Sequence, residues 1–301
     1  MKPRYTFCLL FVALLTVALS FATPPAPDDD EDGEFKGKVK EEETIQKTFS
    51  FPATGARSVE VDNVFGSIDV VGTASDQVRL VVKKTIRARS QADIEQAKKE
   101  VTLDISQPQN KLRVYVDGPF RCHHGWARGC VDERHYIVHY DFTLQVPQRV
   151  DFDLKTVNGG SIRVQKVRGD YFVENVNGPI ALDEVGGSGH VHTVNGDVKV
   201  TFVENPKQDS DFGTINGDID LYFAPQLAAD FRFKTMQGNI YSDFPMTAVP
   251  AAAGKAERKN GRFVYSADRY TGGRVGTGGP EIKLENLNGD LRVLARANQT
   301  Q

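Results

Sequence analysis

An apolar residue followed by Asn-Gly recurs at nearly constant spacing in the second half of the chain, and this repeat limits the folds open to it. Asn and Gly both tolerate a positive φ angle, so each copy predicts a tight turn or corner. The first five turn glycines are separated by 19, 18, 21 and 21 residues. The predicted structural turns are Asn158-Gly159, Asn177-Gly178, Asn195-Gly196, Asn216-Gly217, a degraded copy ending at Gly238, and Asn288-Gly289.

Apolar residues alternate with polar ones after each turn, which is the pattern of a β-strand with one buried face. A repeat of about 20 residues leaves room for two short strands, so it predicts an all-β fold, a β-solenoid-like stack of ~20-residue coils. An antiparallel meander or sandwich satisfies the same spacing. The alternating residues include Ile162 and Val164, Ile180 and Leu182, Val198 and Val200, and Ile219 and Leu221.

The first half of the chain also alternates apolar and polar residues but lacks the regular repeat. Ser90, followed three residues later by Asp93, resembles a capping box, and apolar residues on one stripe then predict a helix over 91–101. Strands are predicted by period-two alternation in four segments: Ser58–Val71, Val78–Ile86, Leu112–Val116 and Tyr136–Val146.

These patterns divide the body of the chain into two regions. We expect an N-terminal β region over 45–146 and the Asn-Gly repeats over 147–296. The Gly- and Ala-rich segment at about 248–279 breaks the rhythm and predicts a loop insertion. The N-terminal strands and helix are expected to cap one end of the stack, and the copy at Asn288 to close the other.

The first 44 residues read as an export signal and a spacer. Lys2 and Arg4 precede an apolar run, Phe7 to Leu19, that is shorter than the roughly 20 residues a membrane span needs. We therefore expect a signal peptide over 1–22, an acidic, disordered tether over 23–44, and an exported chain, periplasmic or extracellular, with no membrane span after processing. The net charge of −3 disfavours nucleic acid as a partner.

Repeated Val-Asn-Gly-Asp-Val units behind an export signal resemble the bacterial "putative adhesin" family, which are exported β-strand-repeat domains of unknown function. The copy Val194 to Val198 carries the motif in full, and the resemblance covers roughly Val59 to Val293. It implies a β-solenoid-like domain without an enzymatic role. The motif has no catalytic residues to carry over, and fold alone does not fix function.

Two cysteines and the residues between them form a candidate binding loop. Cys122 and Cys130 are an even pair in an exported chain and predict a disulfide over 122–130. A zinc site made by both cysteines and one neighbouring histidine is the alternative. Trp and Arg are common in binding hot spots, which makes the whole stretch a candidate site: Phe120, Arg121, His123, His124, Trp126 and Arg128.

Two other groups of residues invite a metal but have simpler explanations. Asp197, Asp218 and Asp290 follow Asn-Gly turns, where stacked carboxylates could hold calcium, yet local turn hydrogen bonds account for them. His190 and His192 share one face of a strand at about 6–7 Å, a spacing that could hold a metal but is more typical of a solvated strand face. We expect no metal, no cofactor and no catalytic residues.

The sequence therefore favours a non-enzymatic, adhesin-like β-repeat scaffold that binds an unknown protein or glycan of the cell envelope or an extracellular component. An envelope-associated regulatory or sensing module is one alternative. A polysaccharide-active enzyme on a β-helix is the other, because acid and base pairs are assembled in space and not in sequence.

Replacing Trp126 tests the loop directly. If the loop binds a partner, Trp126→Ala leaves the melting temperature unchanged and weakens binding to envelope extract, because a binding tryptophan contributes little to the core. Thermal unfolding and a pull-down measure the two effects. A large drop in melting temperature would instead identify Trp126 as local core.

Overall fold

A computed structural model describes residues 39–52, 54–121, 135–250, 255–259, 262–266 and 270–296. The predicted signal peptide, the cysteine pair and most of the candidate loop (Cys122 to Cys130) lie outside the described residues. Over these ranges the protein is all-β with one helix. None of the helical structure in them has the length and apolar character of a membrane span.

The described elements are these, in chain order: β1 (Val39–Ser50), β2 (Ser58–Asp62), β3 (Ile68–Thr73), β4 (Gln77–Ala88), α1 (Gln91–Glu100), β5 (Thr102–Ser106), β6 (Lys111–Asp117), β7 (Tyr136–Pro147), β8 (Asp151–Lys155), β9 (Ile162–Gln165), β10 (Tyr171–Glu174), β11 (Ile180–Val185), β12 (Gly189–His192), β13 (Val198–Phe202), β14 (Ser210–Gly213), β15 (Ile219–Phe223), β16 (Ala229–Lys234), β17 (Ile240–Ser242), β18 (Met246–Val249), β19 (Lys255–Lys259), β20 (Arg262–Ser266), β21 (Thr271–Val275), β22 (Glu281–Glu285) and β23 (Leu291–Ala295).

Two large mixed sheets share one core. The first sheet has the order β1-β4-β7-β3-β9-β11-β13-β15-β23-β17, and the second β18-β21-β16-β22-β14-β12-β10-β8-β2-β6-β5. Phe202 of the first sheet packs edge-on against Phe212 of the second, with ring centroids 6.1 Å apart. The inward residues of both sheets are buried in one cluster, so a sandwich-like arrangement describes the fold.

Successive strands of the repeat region lie in opposite sheets. From β8 to β15, every even-numbered strand is in the second sheet and every odd-numbered strand in the first. Each of these strands pairs in parallel with the strand one repeat away, for example β11 with β13 and β10 with β12. Parallel pairing excludes the antiparallel meander for this region, because a meander pairs consecutive strands in opposite directions.

The Asn-Gly turns align in a column along the edge of the stack. The side-chain amide of each asparagine donates to the side-chain oxygen of the asparagine one coil away, at 2.6 to 2.8 Å. This ladder runs through Asn158, Asn177, Asn195, Asn216 and Asn288. The turns therefore fix the register of the coils in addition to reversing the chain.

The turn glycines are required by close contact between coils as well as by backbone conformation. Gly217 has a φ of 153°, and a Cβ there would lie 2.2 Å from the carbonyl oxygen of Gly196. A Cβ on Gly196 would likewise lie 2.4 Å from the carbonyl oxygen of Gly178. These separations are far shorter than any van der Waals contact, so only glycine permits this stacking distance.

A second polar column satisfies the glycine carbonyls. Thr193 Oγ1 donates to the carbonyl of Gly178 at 2.9 Å, and Thr214 Oγ1 donates to that of Gly196 at 2.9 Å. Both threonines are buried. Because an unpaired buried carbonyl is costly, these side chains stabilise the turns. The equivalent residues in other copies are Thr156, Asn175 and Asn286.

The last Asn-Gly copy does not close the far end of the stack, which corrects one prediction. Strand β22 lies between β14 and β16, and β23 lies between β15 and β17. Asn288 accordingly bridges Asn216 on one side and Gln237 on the other. Leu291 pairs in register with both Ile219 and Ile240, so the last repeat lies between strands that precede it in the chain.

Two predicted boundaries also differ from the structure. Strand β1 begins at Val39, six residues inside the predicted tether 23–44, because its whole length pairs antiparallel with β4. The segment predicted as a loop insertion at 248–279 contains strands, and β21 pairs antiparallel with β16 and β18. Helix α1 ends at Glu100, with Val101 as its C-cap, and packs Ile94 and Ala97 into the core.

A pair of glycine substitutions tests the role of coil contact. We expect Gly217→Ala to lower the free energy of unfolding by about 2–3 kcal/mol, because the added methyl overlaps a backbone oxygen that cannot move without separating two coils. Gly186→Ala is the matched control, since its Cβ would meet only side-chain atoms, the flexible Arg168 at 3.3 Å and Val203 at 3.8 Å. Urea denaturation measures both, and equal effects would contradict the contact argument.

Candidate functional site

The two described residues of the predicted binding loop are tied to the end of the second sheet. Phe120 packs edge-on against Phe65, with ring centroids 5.7 Å apart. Arg121 donates to the Asp62 carboxylate at 2.8 Å and to the Val116 carbonyl at 2.6 Å, and its guanidinium lies 4.4 Å from the centre of the Tyr115 ring. Both side chains therefore hold the base of the loop in place.

The carboxylates that follow the turns are satisfied within the protein. Asp197 accepts the backbone N–H of Asp218 at 2.9 Å, and Asp218 accepts that of Asp290 at 2.8 Å. The guanidinium of Arg292 also donates to Asp218 at 2.7 Å and to Asp290 at 2.6 Å. The backbone hydrogen bond and this guanidinium lower the pKa of Asp218, and the guanidinium supplies a positive charge beside the two carboxylates.

The outward face of the second sheet brings together chemically diverse side chains in one line. We name this line of side chains the first row. Its members are register partners on neighbouring strands, from β6 to β16 across the sheet. Adjacent strands are about 4.8 Å apart, so neighbours in the row contact one another. Its members are Arg113, Glu60, Asp153, Phe172, His190, Asp211, Lys283 and Arg232.

A second row runs parallel to the first, two residues further along each strand. It places Lys155, Glu174 and His192 on successive strands, and continues through Gly213 to Glu285. Its charged members pair with one another: Lys155 Nζ lies 3.7 Å from Glu174, and Lys234 forms an ion pair with Glu285. The two rows form the candidate functional site of the described chain.

Three aromatic rings stack at the centre of these rows. The rings of Phe172 and His190 lie 4.7 Å apart at 12°, and those of His190 and His192 lie 3.9 Å apart at 7°. Gly213 makes room for this stack, because a Cβ there would lie 2.4 Å from Cε1 of His192. The ammonium of Lys155 lies 4.6 Å from the centre of the Phe172 ring, which is a cation–π contact.

Asp211 lies beside both imidazoles. Its Oδ2 is 3.4 Å from Nδ1 of His190 and 3.1 Å from Nε2 of His192. Burial alone would raise the pKa of Asp211, but the two imidazoles and the Lys283 ammonium hold that pKa well below its ordinary value. The carboxylate is therefore charged at any physiological pH.

Cations surround an aromatic ring at the far end of the rows. Tyr270 has the guanidinium of Arg232 at 4.6 Å from its ring centre and the ammonium of Lys283 at 5.4 Å. Its hydroxyl donates to Glu285, which also pairs with Lys283 at 3.1 Å. Burial would raise the pKa of Glu285, but hydrogen bonds from Lys234, Tyr270 and Lys283 lower that pKa to about 2.

A shallow groove crosses the first row. Two adjoining depressions of about 390 and 420 Å³ share Tyr171, Phe172, Gly189 and Asp209. One extends towards Glu60, and the other extends towards Lys283. The groove is open and lined by aromatic faces, carboxylates and ammonium groups, so it suits an extended, polar ligand better than a small enclosed one.

The first row can be found in the sequence from the position of its residues within each repeat, although composition and local motifs do not reveal it. Phe172, His190 and Asp211 each lie six residues before a turn glycine, as does Lys283. Equivalent positions of a repeat fall on equivalent places in successive coils. Only the His190 and His192 pair was recognised from local alternation, because Asp211 arrives from the next coil.

The low pKa of Glu285 predicts a pH-dependent contribution to stability. A group with a depressed folded pKa stabilises the fold above its ordinary pKa of 4.5, and this contribution is lost as the pH falls towards 2. The difference in unfolding free energy between wild type and Glu285→Gln should thus be largest above pH 4.5 and shrink below it. Urea denaturation across pH 2 to 6 measures this.

Glu204→Gln is the control for that experiment, because Glu204 is exposed and its ion pairs are long, 3.9 Å to Arg168 and 4.0 Å to Lys207. Its substitution should change stability little at any pH. A Glu285→Gln effect that stays constant with pH would contradict the assigned pKa.

Comparisons with known proteins give structural neighbours only. No family model matches the sequence, and no curated protein matches it. The fold is similar to that of a "putative cell adhesion protein" from Clostridium sporogenes, with 9% sequence identity and a TM-score of 0.39 over 84% of this chain and 100% of that one. It is also similar to a "putative adhesin" from Bacteroides fragilis, with 11% identity and a TM-score of 0.37 over 84% and 97% of the two chains.

A third similar structure is a "putative lipid binding protein" from Parabacteroides distasonis, with 10% identity and a TM-score of 0.28 over 86% of this chain and 98% of that one. At these TM-scores the neighbours bear on neither the partner nor the site. The chain resembles proteins described as putative adhesins, as its repeated motif indicated.

Proposed function

We propose that the chain is an exported, non-enzymatic, adhesin-like scaffold that binds an extended polysaccharide of the envelope or extracellular space. The observation that carries the proposal is the groove along the first row, where Phe172 and His190 lie among charged side chains on an open sheet face. The ligand would lie across the strands, with its repeating units facing successive members of the row.

The chemistry of the row supports a polar polymer. The carboxylates of Glu60 and Asp153 lie at one end and the ammonium of Lys283 at the other, so hydroxyl groups of a sugar chain would meet acceptors and donors in turn. The half-buried Phe172 ring, which lies between His190 and Lys155, offers apolar contact at its accessible edge without a deep pocket. Because strand pairing fixes the backbone under the row, no backbone rearrangement is needed on binding.

We infer further that residues 147–296 form a β-solenoid. The alternation of strands between two sheets and their parallel, in-register pairing support this reading. The asparagine ladder supports it as well, since equivalent turns of a solenoid align in columns. In this architecture β1, β4, β5, β6 and α1 cap one end, and the antiparallel strands β18 and β21 cover part of the other.

A hydrolase is the second candidate, and one pair of carboxylates favours it. Glu60 and Asp153 are register partners on adjacent strands in the groove. Burial raises the pKa of Asp153, whereas Lys111 and Arg113 outweigh burial and lower the pKa of Glu60. Two carboxyl groups with pKa values shifted in opposite directions are the arrangement that acid–base chemistry on a glycoside uses.

Substitution of the central aromatic residue tests the binding proposal. Phe172→Ala should weaken binding of envelope polysaccharide about 10-fold, because the apolar contact between ring and sugar is lost and about 1.4 kcal/mol corresponds to a 10-fold change in affinity. Titration of purified polysaccharide followed by calorimetry gives the affinity, and thermal unfolding checks the fold. The same samples, assayed for new reducing ends, distinguish binding from hydrolysis.

Tyr222→Ala is the matched control. Tyr222 is a half-buried aromatic residue of β15 in the first sheet, with the Lys199 ammonium 5.3 Å from its ring centre, much as Lys155 lies over Phe172. It should bind like the wild type. Equal losses in the two variants, or specific capture of a protein with no polysaccharide bound, would overturn the proposal, and reducing ends that disappear with Asp153→Asn would support the hydrolase.

A further inference from the structure

We propose that His190, His192 and Asp211 form a binding site for one divalent transition-metal ion of the zinc class. One nitrogen from each histidine and one carboxylate oxygen lie within 4.8 Å of one another. The proposal concerns the metal alone and does not depend on polysaccharide binding by the first row.

The separations match those of ligands around a single ion. Metal-to-ligand distances of about 2.0–2.1 Å in a tetrahedral site place two ligand atoms about 3.3 Å apart. Oδ2 of Asp211 lies 3.4 Å from Nδ1 of His190 and 3.1 Å from Nε2 of His192. The two imidazole rings are stacked within 7° of parallel, and rotation about χ2, a soft torsion, turns both nitrogens towards a shared ion.

Two atoms of the cluster are buried without hydrogen bonds. Nε2 of His192 and Oδ1 of Asp211 are inaccessible to water, and no hydrogen bond of acceptable geometry reaches either of them within the described part of the chain. Unsatisfied buried polar atoms are costly. A metal ion that takes the lone pair of His192 Nε2 and binds the adjacent carboxylate removes this cost.

Glu174 supplies the outer contact that metal-binding histidines use. Its Oε1 lies 3.8 Å from Nε2 of His190, on the opposite side of the ring from the nitrogen that faces Asp211. At 3.8 Å this carboxylate is too far for a hydrogen bond, but its negative charge favours a proton on Nε2, which leaves Nδ1 to bind a metal. The residues thus form an inner set of three ligands and one outer partner.

The ligand types select the class of ion. Imidazole nitrogen suits Zn²⁺ and its neighbours in the first transition row, whereas Ca²⁺ and Mg²⁺ take oxygen ligands. Three protein ligands leave a fourth position open, and about a third of each of the three side chains is accessible to solvent. That position can accept water or an oxygen atom of a bound molecule.

One positive charge opposes the ion and gives the proposal a distinctive test. Lys283 Nζ lies 3.7 Å from Oδ1 of Asp211, and Glu285 holds it at 3.1 Å. Removing this ammonium should strengthen metal binding, because like charges repel. A variant that merely damages the fold cannot produce a gain in affinity.

The experiment titrates zinc chloride into the purified full-length chain by calorimetry, with native mass spectrometry to count bound ions. We expect one zinc ion per chain, no binding at the cluster in His192→Gln or Asp211→Asn, and an affinity weakened about 10-fold in Glu174→Gln. Lys283→Gln should bind several-fold more tightly than the wild type, as expected when a nearby like charge is removed. Calcium chloride should produce none of these effects.

Controls separate this cluster from the cysteine and histidine residues near 122–135. Cys122→Ser and His135→Gln should bind zinc as the wild type does, and copper bound to the wild type should show coupling to two nitrogen nuclei in its electron paramagnetic resonance spectrum. Zinc binding that survives in both His192→Gln and Asp211→Asn, that disappears in Cys122→Ser, or that is absent from the wild type would overturn the proposal.

Discussion

The fold depends on backbone contact between successive turns. From Gly178 onward, each turn glycine presents its carbonyl oxygen where the glycine of the adjacent repeat would otherwise carry a side chain, 2.2 Å from the Cβ position in the case of Gly196 and Gly217. This contact sets the coil spacing, and the asparagine ladder and the buried threonines then hydrogen-bond at that same spacing. Every strand leaving a turn consequently starts in register with its neighbour, which aligns the core residues and the outward-facing rows alike.

Much of the repeat could be predicted because its causes are local. Alternating residues such as Ile180 and Leu182 are buried as the pattern indicated, and Asn-Gly marks the corners. A positive φ angle was the only reason for the turn glycines that the sequence offered. In the structure, the close contact between adjacent repeats is the stronger requirement for glycine. The polar column was missed, although a Thr or Asn stands two residues before the Asn in nearly every copy, because its partners are carbonyls in another coil.

The order of the last coil could not be predicted from the repeat, because several positions in a stack satisfy the same local pattern. Leu291 is an apolar partner that suits Ile219 and Ile240 equally. The strand that contains it, β23, lies between theirs because the chain first forms β17 to β21 and only then returns. Glycine content in this segment suggested a loop. Gly272 and Gly273 instead allow β21 to approach Val249 and Met246 closely, so their small size serves strand packing.

The separation of fold from chemistry explains how one face can carry a specific site. The turn contacts fix where each outward side chain lies, and the core fixes the inward ones, so the identity of an outward residue affects the fold little. Phe172, His190, Asp211 and Lys283 occupy equivalent positions yet share no chemistry. The row is diverse because the fold leaves its outward positions free to vary, and the glycine at 213 opens the space that His192 occupies.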